Sequence, residues 1–134
     1  MSDITTVKTP RTLIAAGTSN AAGATTRGTV DLRTAGGGLL TLKITNGATG
    51  PTVQAVCNVL VAHDAGATPT AANAGANWKT LWSIGGGTAN NGVTEQSMVV
   101  DEGVMHLEVE CTGNTGQAVT VEAYLSEITK RVST

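Results

Sequence analysis

The side chains that could do chemistry are few and scattered. The chain has two histidines, His63 and His106, and its nearest approach to a dyad is His63-Asp64. Neighbours in an extended segment point to opposite sides, so neither would orient the other for nucleophilic or general-base work. His106, Glu108 and Glu110 share one face of a strand at period 2, and imidazole with two carboxylates is a donor set for a divalent cation. Same-face residues lie about 7 Å apart along a strand, however, which spreads the donors beyond one ion. A solvated polar face is the better reading, and no metal or cofactor is expected. No serine stands in a Gly-x-Ser-x-Gly elbow. The runs Gly36-Gly37-Gly38 and Gly85-Gly86-Gly87 link strand to strand, whereas a phosphate cradle needs a helix N-terminus after it. No catalytic constellation emerges, and a non-enzymatic protein is expected.

Trp78 and Trp82 are four apart, which puts both on one face of a regular strand. Two rings on one face could stack on a sugar, with Tyr124 as a third candidate. Against that, the chain has no phenylalanine, and at least one tryptophan is expected to fill the core. Cys57 and Cys111 allow one disulfide at most. Their spacing neither requires nor bars a bridge, and two reduced, buried, small apolar side chains are the plainer reading in a chain with no recognisable export signal.

The elements that must position these residues read as strands throughout. Of 134 residues, Thr, Ala and Gly supply 58, and charged residues only 13%. A net charge of −2 argues against a nucleic-acid binder, and no apolar run approaches the roughly 20 residues of a membrane helix. The segment 1–27 is expected to be an extended arm, anchored only at Thr12-Leu13-Ile14, with a sandwich domain over 28–134. Alternation then appears at Val30 and Leu32, and at Leu40, Leu42 and Ile44. Thr52 to Ala62 is apolar on both faces, as in a central strand. After a long Ala/Gly/Thr loop from His63 to Asn77 come strands from Trp78 to Ile84, Thr94 to Val100, Val104 to Cys111 and Val119 to about Ile128. Gly/Asn-rich turns separate them. The prediction is an all-β, antiparallel, jelly-roll-like sandwich of seven strands, or eight if the arm contributes one.

Charge is uneven along the chain. Residues 1–47 carry Lys8, Arg11, Arg27, Arg33 and Lys43 against Asp3 and Asp31, whereas residues 48–129 carry Lys79 against eight carboxylates. A basic arm on an acidic body suits contact with an acidic neighbour or with another copy of the chain.

The stretches GATTRGTVDLRTAGGGLLTLKITNGATGPTVQA, GGGTANNGVTE and GVMHLEVECTGNTGQAVTVEAYLSEI resemble the small structural proteins of tailed-bacteriophage virions, over about residues 1–128. The resemblance implies a virion protein assembled in the host cytoplasm, foremost a capsid decoration or cement protein bound to the major capsid protein or other virion proteins. A homo-oligomer, a trimer before other states, would suit that role. Position and flexibility nominate Lys8, Arg11, Leu13, Ile14 and Arg27 of the arm, and Asp64, Thr68 and Pro69 of the loop, as contacts. The alternative is a tail-associated or spike-like module that touches host surface glycan through Trp78, Trp82 and Tyr124.

Overall fold

In a computed structural model of the chain, residues 4–63 and 78–133 are described. They form eight strands: β1 Ile4–Asn20, β2 Thr26–Asp31, β3 Gly38–Asn46, β4 Val56–Ala62, β5 Trp78–Gly85, β6 Val93–Val100, β7 His106–Thr112 and β8 Val119–Ser133. Two four-stranded sheets result, ordered β1-β8-β3-β6 and β2-β7-β4-β5, and every neighbouring pair is antiparallel. The chain changes sheet at each connection except β4 to β5. This is the jelly-roll topology of two interlocked Greek keys. Among the described residues no helix is long and apolar enough to cross a membrane.

The period-2 pattern sets which faces meet. Leu40, Leu42 and Ile44 of β3 and Val119, Val121, Ala123 and Leu125 of β8 face Cys57, Val59 and Val61 of β4 and Leu107, Val109 and Cys111 of β7, forming one buried cluster. Its side chains are small and mostly branched, and Trp82 and Met98 are partly buried against its margin.

The segment expected as an arm is extended, yet it belongs to the sandwich. From Ile4 to Asn20 it pairs antiparallel with β8, so the eighth strand is present and β8 continues past Ile128 to Ser133. Three register shifts interrupt the pairing, between Val7 and Lys8, Thr12 and Ile14, and Ile14 and Thr18. The last contains Gly17 at φ 78°, a left-handed conformation that glycine adopts without strain. Ala16 N donates to the Tyr124 hydroxyl at 3.0 Å and Thr18 Oγ1 to the Ala15 carbonyl at 2.7 Å, which ties the bulge down. At the middle shift β1 leans across to β2, where Gly28 lies so close under Leu13 that a Cβ there would overlap the Leu13 carbonyl.

The end of β1 is clasped by a buried amide pair. Asn20 Nδ2 donates to Asn114 Oδ1 at 2.6 Å, Asn114 Nδ2 returns a bond to the Asn20 carbonyl at 3.1 Å, and Thr26 Oγ1 donates to Asn20 Oδ1 at 2.7 Å. β4 starts later than its apolar pattern suggests. Val53 instead makes an isolated bridge with Thr115 ahead of the strand.

Cys57 and Cys111 stand directly opposite each other on β4 and β7, Cα atoms 4.1 Å apart, and form a disulfide. The expectation of two reduced thiols is corrected: the register of two strands far apart in sequence brings the sulfurs into bonding reach. The bridge closes a separation of 54 residues, for which chain entropy gives about 4 kcal/mol of stabilisation. Urea denaturation of the Cys57→Ala, Cys111→Ala double variant should therefore show a loss on that order, and an unchanged midpoint would contradict a formed bridge.

Candidate functional site

The outer face of the β2-β7-β4 sheet carries the polar cluster that the sequence placed at 106, 108 and 110. All three side chains are buried, with Glu108 only 3% exposed, so the solvated-face reading is corrected. The cause is Arg27, supplied by β2 at the register position opposite Glu110. Its Nη1 donates to Glu110 Oε2 and, at 3.3 Å, to Glu108 Oε2, laying a guanidinium across both carboxylates. Thr29 Oγ1 donates to Glu108 Oε1 at 3.2 Å, and a relay from Ser83 to Asn58 (2.7 Å) to Glu110 (3.3 Å) approaches from β4 and β5. At the strand end His106 Nδ1 lies 3.9 Å from Asp31 Oδ1. The carboxylates converge on Arg27, and among the described residues no group of three or more His, Cys, Asp or Glu is placed to hold a metal ion.

Burial pushes the Glu108 carboxyl above its ordinary value, outweighing its bonds from Thr29 and Arg27. Asp31 goes the other way: hydrogen bonds from the Arg33 side chain and backbone hold it down at about 2.

A second polar group lies where the sheets part beneath β1. Arg11 Nε donates to Glu127 Oε2 at 2.9 Å; the Arg11 side chain is 49% exposed and that of Glu127 only 4%. Glu127 follows the inward phase of Val121, Ala123 and Leu125, so an acid ends the core-facing row of β8. A cleft of about 570 Å³ opens here, lined by Arg11, Glu127, Asp31 and Thr29 among others.

The tryptophans do not share a face. Val59 pairs with Trp82 but Leu60 pairs with Thr80, so Leu81 is an extra residue and the strand reverses its facing across it. Trp82 turns to the core, while Trp78 pairs with Ala62 on the outer face and is half-buried. Tyr124 is on the other sheet, 37% exposed and bonded to β1. The three rings therefore form no common platform, and the same-face expectation is corrected by the bulge.

The remaining nominated contacts also separate. Ile14 is in the core and Leu13 packs against it, so both hold β1 to this domain. Arg27 and Arg11 are engaged as above, and Lys8 is exposed on the edge strand. Asp64, Thr68 and Pro69 lie outside the described residues.

What the sequence reading did not single out is the outer face of the β1-β8-β3-β6 sheet. It presents Thr12, Tyr124, Thr41 and Ser97 in one row across the four strands, Thr41 and Ser97 bonded at 2.7 Å. The next row toward Asn46 holds Lys43 between Glu122, 3.7 Å away, and Glu95. At the other end Leu39, Val99 and Ile128 line an apolar groove of about 560 Å³ rimmed by Lys8, Asp101 and Glu102. The strand phase of β3, β6 and β8 contains this face; only the strand order, which is non-local, was missing.

No known protein family matches the chain, and no curated protein does. Solved structures similar to it include the K3 cleaved adhesin domain of Lys-gingipain from Porphyromonas gingivalis, at 14% identity and a TM-score of 0.53, covering 81% of this chain and 72% of that one. The SPBc2 prophage-derived protein YomS is similar at 18% identity and a TM-score of 0.44, over 90% and 94% of the two chains. A family 16 carbohydrate binding module is similar at 9% identity and a TM-score of 0.44, over 85% and 74%. At 14% identity the likeness to the adhesin domain is one of fold alone.

Two measurements check the buried cluster. Arg27→Ala takes the shared guanidinium from two buried carboxylates and should cost about 3 kcal/mol near neutral pH, with part of the loss recovered in acid where Glu108 is protonated. Because the folded-state value of Glu108 is raised, its contribution to stability is full below about 4.5 and is lost as pH rises through the folded value. The stability of Glu108→Gln relative to the natural chain should therefore rise from pH 4.5 to neutrality, and a flat or falling difference in urea melts would contradict the assignment.

Proposed function

We propose that this chain is a non-enzymatic structural protein of a bacteriophage particle, a decoration or cement protein that binds the outer surface of the head and stabilises it. The observation that carries this reading is the outer face of the β1-β8-β3-β6 sheet. It is broad and rich in hydroxyls, and its charges are Lys43, Glu95 and Glu122 in one row, with Lys8, Asp101 and Glu102 rimming one end. Such a surface docks on a protein shell without stranding buried charge, because each hydroxyl can donate and accept. Two further points support it. The sequence resembles small virion proteins of tailed phages, and the charged clusters described above are taken up in ion pairs that hold strands together.

The mechanism would be mechanical. A copy spanning a junction between shell subunits adds contact area to the assembled state only, which shifts the disassembly equilibrium by mass action. Repetition over a symmetric shell multiplies the effect. Lys8 lies on the edge of that face, in keeping with its nomination as a contact. The tail or glycan alternative loses its two-ring platform to the bulge at Leu81.

A cryo-electron microscopy map of the particle tests the proposal. Expected is density for many symmetric copies on the head with the hydroxyl face toward the shell, and loss of head binding when Thr41→Lys and Ser97→Lys are combined, the isolated variant remaining folded. Density confined to the tail, or full head binding by that variant, would overturn it.

A further inference from the structure

The four sheet edges are not equally defended. β1 carries Pro10 and three register shifts, β2 is crossed by β1 at Gly28, and β5 is broken by the bulge at Leu81. Proline, bulges and covering segments are the devices that stop a sheet edge from recruiting another strand. Among the described residues β6 has none of them. Its pairing with β3 runs without a register shift from Val93 to Val100, it contains no Pro, Gly or Lys, and no described strand lies beyond it. Two of the chain's most exposed large apolar side chains belong to it, Val99 at 77% and Val93 at 58%, and Leu39 beside Val99 is exposed as well.

We propose that β6 pairs with β6 of a second copy of this chain, antiparallel about a two-fold axis at Gln96, joining two sandwiches through one continuous eight-stranded sheet. The occupant follows from the strand's own sequence, V-T-E-Q-S-M-V over residues 93–99. Antiparallel partners must point to the same face, so pairing is confined to registers that keep odd residues opposite odd ones. Centred on Gln96, the outward row sets Val93 against the partner copy's Val99, twice over by symmetry, and Glu95 against Ser97. The two exposed valines cover each other, each Glu95 meets a hydroxyl donor, and no like charges face each other. The inward phase sets Thr94 against Met98. A two-fold contact requires this kind of self-complementarity. The pairing also extends the hydroxyl face on which the proposed shell contact rests, but it depends on the edge alone and stands whether or not that reading does.

Sedimentation equilibrium of the full chain at micromolar concentrations should give twice the chain mass. Val99→Lys, on an outward side chain away from the core, should weaken association by about tenfold or more, since it removes both valine pairs of the dimer. Cysteine substitutions read the register. Gln96→Cys should cross-link to itself under mild oxidation, and Val93→Cys should cross-link with Val99→Cys in a mixture of the two, while neither of those forms a bridge alone. Circular dichroism confirms that each variant is folded, and if Val99→Lys is not, the cysteine series decides. A monomer, an oligomer whose association Val99→Lys leaves unchanged, or a Gln96→Cys chain that does not cross-link would overturn the proposal. A dimer that fails to bind any shell would leave it intact and count against the virion reading instead.

Discussion

The rest of the structure depends on where β1 goes. A strand at the edge of one sheet ordinarily leaves the gap between the sheets open on its side. Here β1 pairs with β8 from Ile4 to Asn20 and, at the shift between Thr12 and Ile14, brings Leu13 against Gly28 of β2. Only a residue without a side chain at 28 permits that approach, and Ile14 then drops into the core. One side of the sandwich is closed by this crossing. The opposite side, between β5 and β6, has no comparable closure among the described residues, and the edge strands that flank it carry exposed apolar side chains, Val93 and Val99 on the outer face of β6 and Leu81 on β5. An unequal pair of sides gives the molecule a direction in which to associate.

The polar burial follows from the same shortage that shapes the core. With no phenylalanine and a core of Val, Leu, Ile, Ala and Cys, the apolar layer is thin, and additional fastening comes from polar and covalent links between strands distant in sequence. Arg27 fastens β2 to β7 through Glu108 and Glu110, Arg11 fastens β1 to β8 through Glu127, Asn20 and Asn114 clasp the turn ahead of β8, and the disulfide joins β4 to β7. Glu108 and Glu110, the acids that looked like a donor set for a cation, are committed to holding strands in register. Hydrogen-bonded burial of this kind favours one arrangement of strands, because any slip would strand a charge.

Much of this was legible in the sequence. Alternation at Leu40, Leu42 and Ile44 identified the inward residues of β3 correctly, and the Gly/Asn-rich turns separated the strands. The pairings between distant strands were not legible. Residues 4–20 are polar, broken by Pro10 and Gly17, and lack a clean period; they become a strand because β8 continues to Ser133 and offers them a partner. The carboxylates of β7 looked solvated because Arg27 arrives from a strand about eighty residues earlier. Spacing put Trp78 and Trp82 on one face, and one extra residue at Leu81 reversed it, since a period of 2 has no tolerance for an insertion. The hydroxyl face was present as the outward phase of strands whose order in the sheet no local pattern reveals.

The N-terminal segment is an integral edge strand, which is why the proposed association is placed on the sheet face and the β6 edge instead of on a free arm. Native-state hydrogen exchange on the isolated chain tests this most directly. The account predicts that amides of β1 on both sides of the Leu13 crossing exchange through the same opening as those of β8, protected nearly to the global stability. Rapid, unprotected exchange throughout residues 4–20, with β8 still protected, would contradict it and restore the arm as the contact element.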